Sequence, residues 1–204
     1  MATSIIPAGR PSEGTSPELE SVYYNSNALR LFADFLKQRP EAHILDLGPV
    51  CGENISFLAQ LVKRLYVCDM FFRLVRDRRK GIAPSKALRH LDYTPQSFDG
   101  ILLWDLADRL DDPEVGSLMD LCRTLIKPSG MVIVFDLGKH PVGPSVNTFV
   151  ICDNFRVYLR PQPHLDLPLR IRQSRDVITM ADPLKPIKSF IYRNGLREFL
   201  FQQE

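Results

Sequence analysis

The stretch HILDLGPVCGENISFLAQLVKRLYVCD, residues 43–69, decides the fold. His43 to Leu47 is a short apolar run. A glycine-bracketed loop follows from Gly48 to Gly52, then an amphipathic segment from Glu53 to Lys63, then a second apolar run from Arg64 that closes on Asp69. This pattern reads as strand, turn, helix, strand. Such a unit sets a helix N-terminus beside the carboxyl end of the first strand, where an open parallel sheet binds its ligand. A nucleotide-like cofactor is expected above Gly48.

Upstream, residues 1–17 carry Pro7, Gly9, Pro11, Gly14 and Pro17 among serines and threonines, which predicts a mobile tail that buries little. From Glu18 to Gln38 the apolar residues Leu19, Val22, Tyr23, Leu29, Leu31, Phe32, Phe35 and Leu36 are spaced for one helix or two short ones, stopped by Pro40. Downstream, MFFRLVRDRRKG gives a helix with Met70, Phe71, Leu74 and Val75 inward and a cationic face of Arg73, Arg76, Arg78, Arg79 and Lys80. Such a run is ordinarily a solvated helix end; its other reading is a phosphate-reading patch.

The alternation continues. Ala87 to Leu91 predicts a weak third strand ending at Asp92. Phe98 to Trp104 predicts a fourth, apolar enough to be covered on both faces. A helix is expected from near Pro113 to Lys127, with Val115, Leu118, Met119, Leu121, Cys122 and Leu125 inward, and a fifth strand from Met131 to Phe135 ends at Asp136. Strand and helix alternating in this way call for right-handed crossovers and a parallel sheet. Residues 138–183 are proline-rich and aperiodic, a loop-rich lid in which Thr148 to Leu159 could hold one or two strands and Ser174 could cap a short helix. The last segment, IKSFIYRNGLREFLFQ, has two alternating runs around Asn194-Gly195, the sequence of an antiparallel hairpin. The whole is an α/β chain with a Rossmann-like, doubly wound, seven-stranded and mostly parallel sheet and a C-terminal antiparallel hairpin. Residues 18–204 form one domain.

Composition narrows the partners. The chain has 204 residues, 45% hydrophobic and 25% charged, enough for one sizeable core. A net charge of +2 gives no global field toward nucleic acid or membrane. Cys51, Cys68, Cys122 and Cys152 lie far apart with no C-x-x-C pair, against a zinc site or a redox dithiol. No signal-peptide run and no stretch of about 18 apolar residues is present, so a soluble, cytoplasmic chain is expected.

Taken in order, these motifs resemble the class I S-adenosylmethionine-dependent methyltransferase family, over roughly residues 20–136 and 184–203. I-L-D-L-G-P-V-C-G-E-N is similar to the family's first motif, V-C-D to its ribose-binding acid, and L-D-Y to its adenine contact. S-F-D-G-I-L-L-W-D-L resembles its fourth-strand motif, and L-I-K-P-S-G-M-V-I-V its turn into strand five. The resemblance implies S-adenosylmethionine as cofactor. Gly48 and Gly52 would let the backbone approach it, Asp46 would hold its ammonium, and Asp69 its ribose hydroxyls. Met70 and Asp92 would meet the adenine, and Trp104 would line the pocket. Asp69 lies 21 residues past Gly48, close to the roughly 20-residue offset expected for a ribose acid. The chain departs from G-x-G-x-G, having Val50 where the middle glycine stands. A positive φ there would cost about 1–2 kcal/mol. The catechol and caffeoyl-coenzyme A O-methyltransferases are similar in having G-x-x-x-G.

Methyl transfer from a sulfonium is an in-line displacement, so positioning and removal of the acceptor's proton are the protein's tasks. The mouth of the site is expected at Trp104, Asp105, Asp108, Arg109, Asp136 and His140. Arg109 stands where many small-molecule members have a histidine, leaving Asp105 or His140 as the base. A Mg²⁺ shared by Asp105 and Asp136 is the lesser option, because Leu137 replaces the asparagine of the catechol-type enzymes. Arginines 156, 160, 170, 172 and 175 could make the lid basic enough for an acidic substrate or RNA, though scattered arginines usually form solvated edges and salt bridges. The expected partner is a small-molecule methyl acceptor, with nucleic acid disfavoured. The rival is a catalytically inactive methyltransferase-like module for binding or assembly.

Overall fold

The computed structural model describes residues 23–139 and 145–204; the expected mobile tail lies outside them, as do His140 and its neighbours to Pro144. The chain runs β1 (Tyr24–Asn25), α1 (Asn27–Lys37), β2 (His43–Asp46), α2 (Gly52–Ala59), β3 (Arg64–Val67), α3 (Met70–Arg79), α4 (Pro84–Ala87), β4 (Phe98–Trp104), α5 (Asp112–Leu125), β5 (Ile126–Asp136), β6 (Val146–Ile151), β7 (Arg156–Gln162), α6 (Ser174–Met180), β8 (Lys185–Ile191) and β9 (Arg197–Gln202). Six strands form the main sheet in the order β3-β2-β4-β5-β9-β8. The first four are parallel, and β9 and β8 close it antiparallel around the expected Asn194-Gly195 turn.

The seven-stranded expectation is therefore corrected to six. The missing strand is Ala87–Leu91, which ends α4 and continues as a 3₁₀ turn over Leu88–Leu91. Ala87, Leu88 and Leu91 are the buried residues of this stretch, a helical spacing rather than an alternation, and Pro84 starts the helix at its first turn.

Period-two alternation splits the core between the two faces of the sheet. Ile101 and Leu103 of β4 and Val132 and Val134 of β5 pack under α3, α4, α5 and α6. Leu102, Trp104, Ile133 and Phe135 face α1, α2 and the lid. α1 begins at Ser26, whose hydroxyl accepts the Leu29 N–H at 3.0 Å, and α5 begins in a reciprocal capping box between Asp111 and Glu114. Both faces are covered, so the uninterrupted apolar run of β4 is satisfied.

The lid is more regular than its prolines suggest. β6 and β7 pair antiparallel, β7 also pairs with β1, and the three make a second small sheet. Asn54 of α2 clamps this sheet to the main one, donating to the Phe149 carbonyl at 2.9 Å and accepting the Ile151 N–H at 2.8 Å. No helix among the described residues is long and apolar enough to cross a membrane.

Candidate cofactor site and active site

Strand order reverses at β2, which has β3 on one side and β4 on the other. A ligand crevice is expected outside the carboxyl ends of strands at such a reversal. Asp46, Gly48, Asp69 and Trp104 are linked there, in two unlike halves.

On the β3 side, Asp69 follows the strand and caps α3. Its Oδ1 accepts the Phe72 N–H at 2.8 Å and its Oδ2 accepts the Val50 N–H at 3.1 Å. The carboxylate thus ties the glycine loop to the next helix and keeps lone pairs for a ligand hydroxyl. Gly52 opens α2 and has nothing within 4 Å of where a Cβ would stand. Asp92 is solvent-exposed just past the 3₁₀ turn. Met70, expected against an adenine, is instead 0% exposed and packs in the core, with Cys68 Sγ 3.8 Å from its sulfur.

On the β4 side the crevice is filled from within. Trp104 ends β4 with φ at +51°, a left-handed conformation in a bulky residue, which costs about 1–2 kcal/mol and turns its ring back over the loop. A Cβ on Gly48 would stand 2.5 Å from both Cδ1 and Nε1 of the indole. The indole N–H donates to Asp46 Oδ1 at 2.6 Å, an oxygen that also accepts the Gly48 N–H at 2.9 Å. The ring stacks on Phe135 at 4.9 Å and on Phe149 at 5.9 Å. Burial lifts the Asp46 carboxyl to about 6, the two N–H donors pulling the other way. Val50, which a positive φ would have strained, is not among the residues with positive φ, and its side chain is exposed.

The residues present thus fit one half of S-adenosylmethionine. Asp69 keeps acceptor capacity that suits ribose hydroxyls. The methionyl half would pass over Gly48, where the indole lies.

Beyond Trp104, the ends of β4 and β5 hold three buried carboxylates. Arg109 donates to Asp105 Oδ2 from Nε at 3.0 Å and Nη2 at 2.8 Å. Arg197 pairs with Asp136, and Asp108 Oδ2 accepts the Leu137 N–H at 2.8 Å. Asp105 Oδ1, Asp108 Oδ1 and Asp136 Oδ2 have no partner. Burial pushes the pKa of all three upward, with Arg109 and Arg197 opposing it at Asp105 and Asp136. Arg109 and Arg197 each engage one oxygen of Asp105 and Asp136, and no group of three or more His, Cys, Asp or Glu suited to a metal ion occurs among the described residues. Asp108 and Arg109 lie at the expected mouth; Arg197 joins them unforeseen, and Arg172, expected only among the lid arginines, reaches in beside them. The Arg172 guanidinium bonds the Ala107 and Leu110 carbonyls, both at 2.7 Å. The 105–109 spacing of acid and arginine was the one local signal for such pairing.

No family model and no curated protein matches the chain. Solved structures do. The chain is similar to an S-adenosylmethionine-dependent methyltransferase from Clostridium acetobutylicum at 13% identity, covering 85% of this chain and 91% of that one with a TM-score of 0.57. It is similar to another from Mesorhizobium loti at 12%, covering 85% and 96%, also at 0.57. A third is the 1,6-didemethyltoxoflavin-N1-methyltransferase of Burkholderia thailandensis, with bound 1,6-didemethyltoxoflavin and S-adenosylhomocysteine, at 17%, covering 87% and 78% with a TM-score of 0.50. The strand order, the Asp69 cap and these likenesses agree: the chain has the fold of the class I S-adenosylmethionine-dependent methyltransferases.

Proposed function

We propose that the chain is an S-adenosylmethionine-dependent methyltransferase acting in line on a small-molecule acceptor. The observation that carries this reading is Asp69, fixed by two backbone N–H groups at the carboxyl edge of β3 with lone pairs still free. In this role Asp69 takes the ribose hydroxyls, Asp92 lies at the adenine, and the N-terminus of α2 at Gly52 faces the methionyl carboxylate. The cofactor supplies an electrophilic methyl group on a sulfonium. The Trp104 ring must rotate off Gly48 to admit the methionyl chain, freeing Asp46 for its ammonium. Asp105, with an unpartnered buried oxygen and a raised pKa, is suited to take the acceptor's proton, and His140 is the other candidate base. The neighbour that holds 1,6-didemethyltoxoflavin beside S-adenosylhomocysteine supports the acceptor class.

A second reading rests on the seated indole. If Trp104 stays seated, the fold serves as a non-catalytic binding or assembly module. Titration with S-adenosylmethionine separates the two. The enzyme reading expects saturable binding, weakened about tenfold, or ~1.4 kcal/mol, in Asp69→Ala. Absence of binding at millimolar cofactor would leave the module reading.

A further inference from the structure

One face of α3 is unused by the cofactor reading. Phe72, Val75, Arg76 and Arg79 recur at helical spacing and, with Lys80, form one wall of a hollow of about 420 Å³. Pro163, His164, Leu165 and Asp166, just past β7, form the other. A second hollow of about 390 Å³, lined by Val75, Arg78, Arg79, Asp166 and Pro168, adjoins it. Four cations therefore meet a single carboxylate across the two.

The ends of the wall differ in chemistry. Phe72, one turn into the helix, leaves its ring 53% exposed. Arg79 lies seven residues on, a rise of ~10 Å. Arg76 between them is already engaged: its Nε donates to Asp77 Oδ1 at 2.8 Å, and its Nη2 lies 2.9 Å from His90 Nε2, which leaves Arg79 and Lys80 as the cations for a ligand. Arg78, Arg79 and Lys80 make no ion pair with any described residue. A purely solvated helix end needs neither an exposed phenyl ring nor a facing apolar wall of Pro163 and Leu165. An aromatic face at one end and forked donors at the other match a flat ring carrying a phosphate.

We propose that this hollow binds a phosphorylated aromatic small molecule of the nucleoside monophosphate class, its ring against Phe72 and its phosphate at Arg79 and Lys80. The hollow runs along α3 from Phe72, whose backbone N–H meets Asp69, and its lining includes none of the residues assigned to the cofactor.

The test is calorimetric titration of the full chain with guanosine 5′-monophosphate, with guanosine, inorganic phosphate and a uridine decamer as comparisons. The nucleotide should bind saturably and at least tenfold tighter than guanosine or phosphate alone. Arg79→Ala with Lys80→Ala should weaken it at least tenfold, and Phe72→Ala by about threefold, with thermal melts confirming that these exposed changes leave the fold intact. Saturating S-adenosylhomocysteine should leave the nucleotide's affinity unchanged. The proposal is overturned by no saturation at millimolar nucleotide, by equal affinity for inorganic phosphate, by competition from S-adenosylhomocysteine, or by indifference to the Arg79 and Lys80 changes. A decamer that binds far tighter, with a salt slope of several phosphates, overturns it in favour of nucleic acid.

Discussion

The two halves of the crevice carry equally good sequence motifs and have opposite structures. At Asp69 the motif residue is half-exposed, held by backbone N–H groups and still able to accept more. At Gly48 the motif residue is buried under an indole of the same chain. A glycine permits close approach, but it does not say whether a ligand or a neighbouring side chain makes that approach.

The largest expected effect comes from emptying the closed half. Trp104→Ala removes a fully buried ring, its two stacking partners and its bond to Asp46, and relieves the left-handed strain only in part. The expected loss is about 3–4 kcal/mol, read from urea unfolding. Next is a pH effect confined to the same half. Asp46 has its pKa lifted to about 6 in the fold, above its unfolded value, so its contribution is present in acid and lost as pH rises through about 6. Between about pH 4 and about pH 7 this group should cost the wild type up to about 3 kcal/mol. Asp46→Asn keeps an acceptor for the indole and removes the titration. The stability difference between the two proteins should therefore shift in favour of the variant as pH rises, the other buried acids cancelling in the comparison.

Gly48→Ala sharpens the contrast. Its new methyl collides with the indole, so overpacking should cost about 1–3 kcal/mol, and most of that cost should vanish in the Trp104→Ala background. An unchanged cost would mean that the glycine serves the loop and not the ring. The open half should respond least: Asp69→Ala loses a helix cap and the Val50 tether, about 1 kcal/mol by thermal or urea melts.

The parts of the fold readable beforehand are those where two signals agree. Residues 43–69 combine periodicity with bracketing glycines, β4 is apolar throughout, and Asn194-Gly195 sits between alternating runs. Ala87–Leu91 misled because five residues hold barely one helical turn, and their buried set of 87, 88 and 91 emerges only against the sheet. The lid strands β6 and β7 were only half visible, since they are fixed by distant partners: Asn54 on one side and β1 on the other. Its arginines follow the modest reading, with Arg160 on Glu53, Arg172 on Asp112 and Arg175 on Asp176. In the site, Asp69 was legible because a strand-end acid before a helix has one place to go. The direction of the Trp104 ring was not, because it depends on a φ of +51° at the end of β4 that no residue type announces.

The most direct test is the affinity of S-adenosylhomocysteine for the wild type and for Trp104→Ala, measured by calorimetry at neutral pH. Moving the buried, stacked and hydrogen-bonded indole should cost at least ~3 kcal/mol, which corresponds to about a hundredfold in affinity. The variant should therefore bind about a hundred times tighter than the wild type, and Asp69→Ala should weaken binding in both. Wild-type binding as tight as that of the variant would contradict the account, because the ring would then not close the crevice.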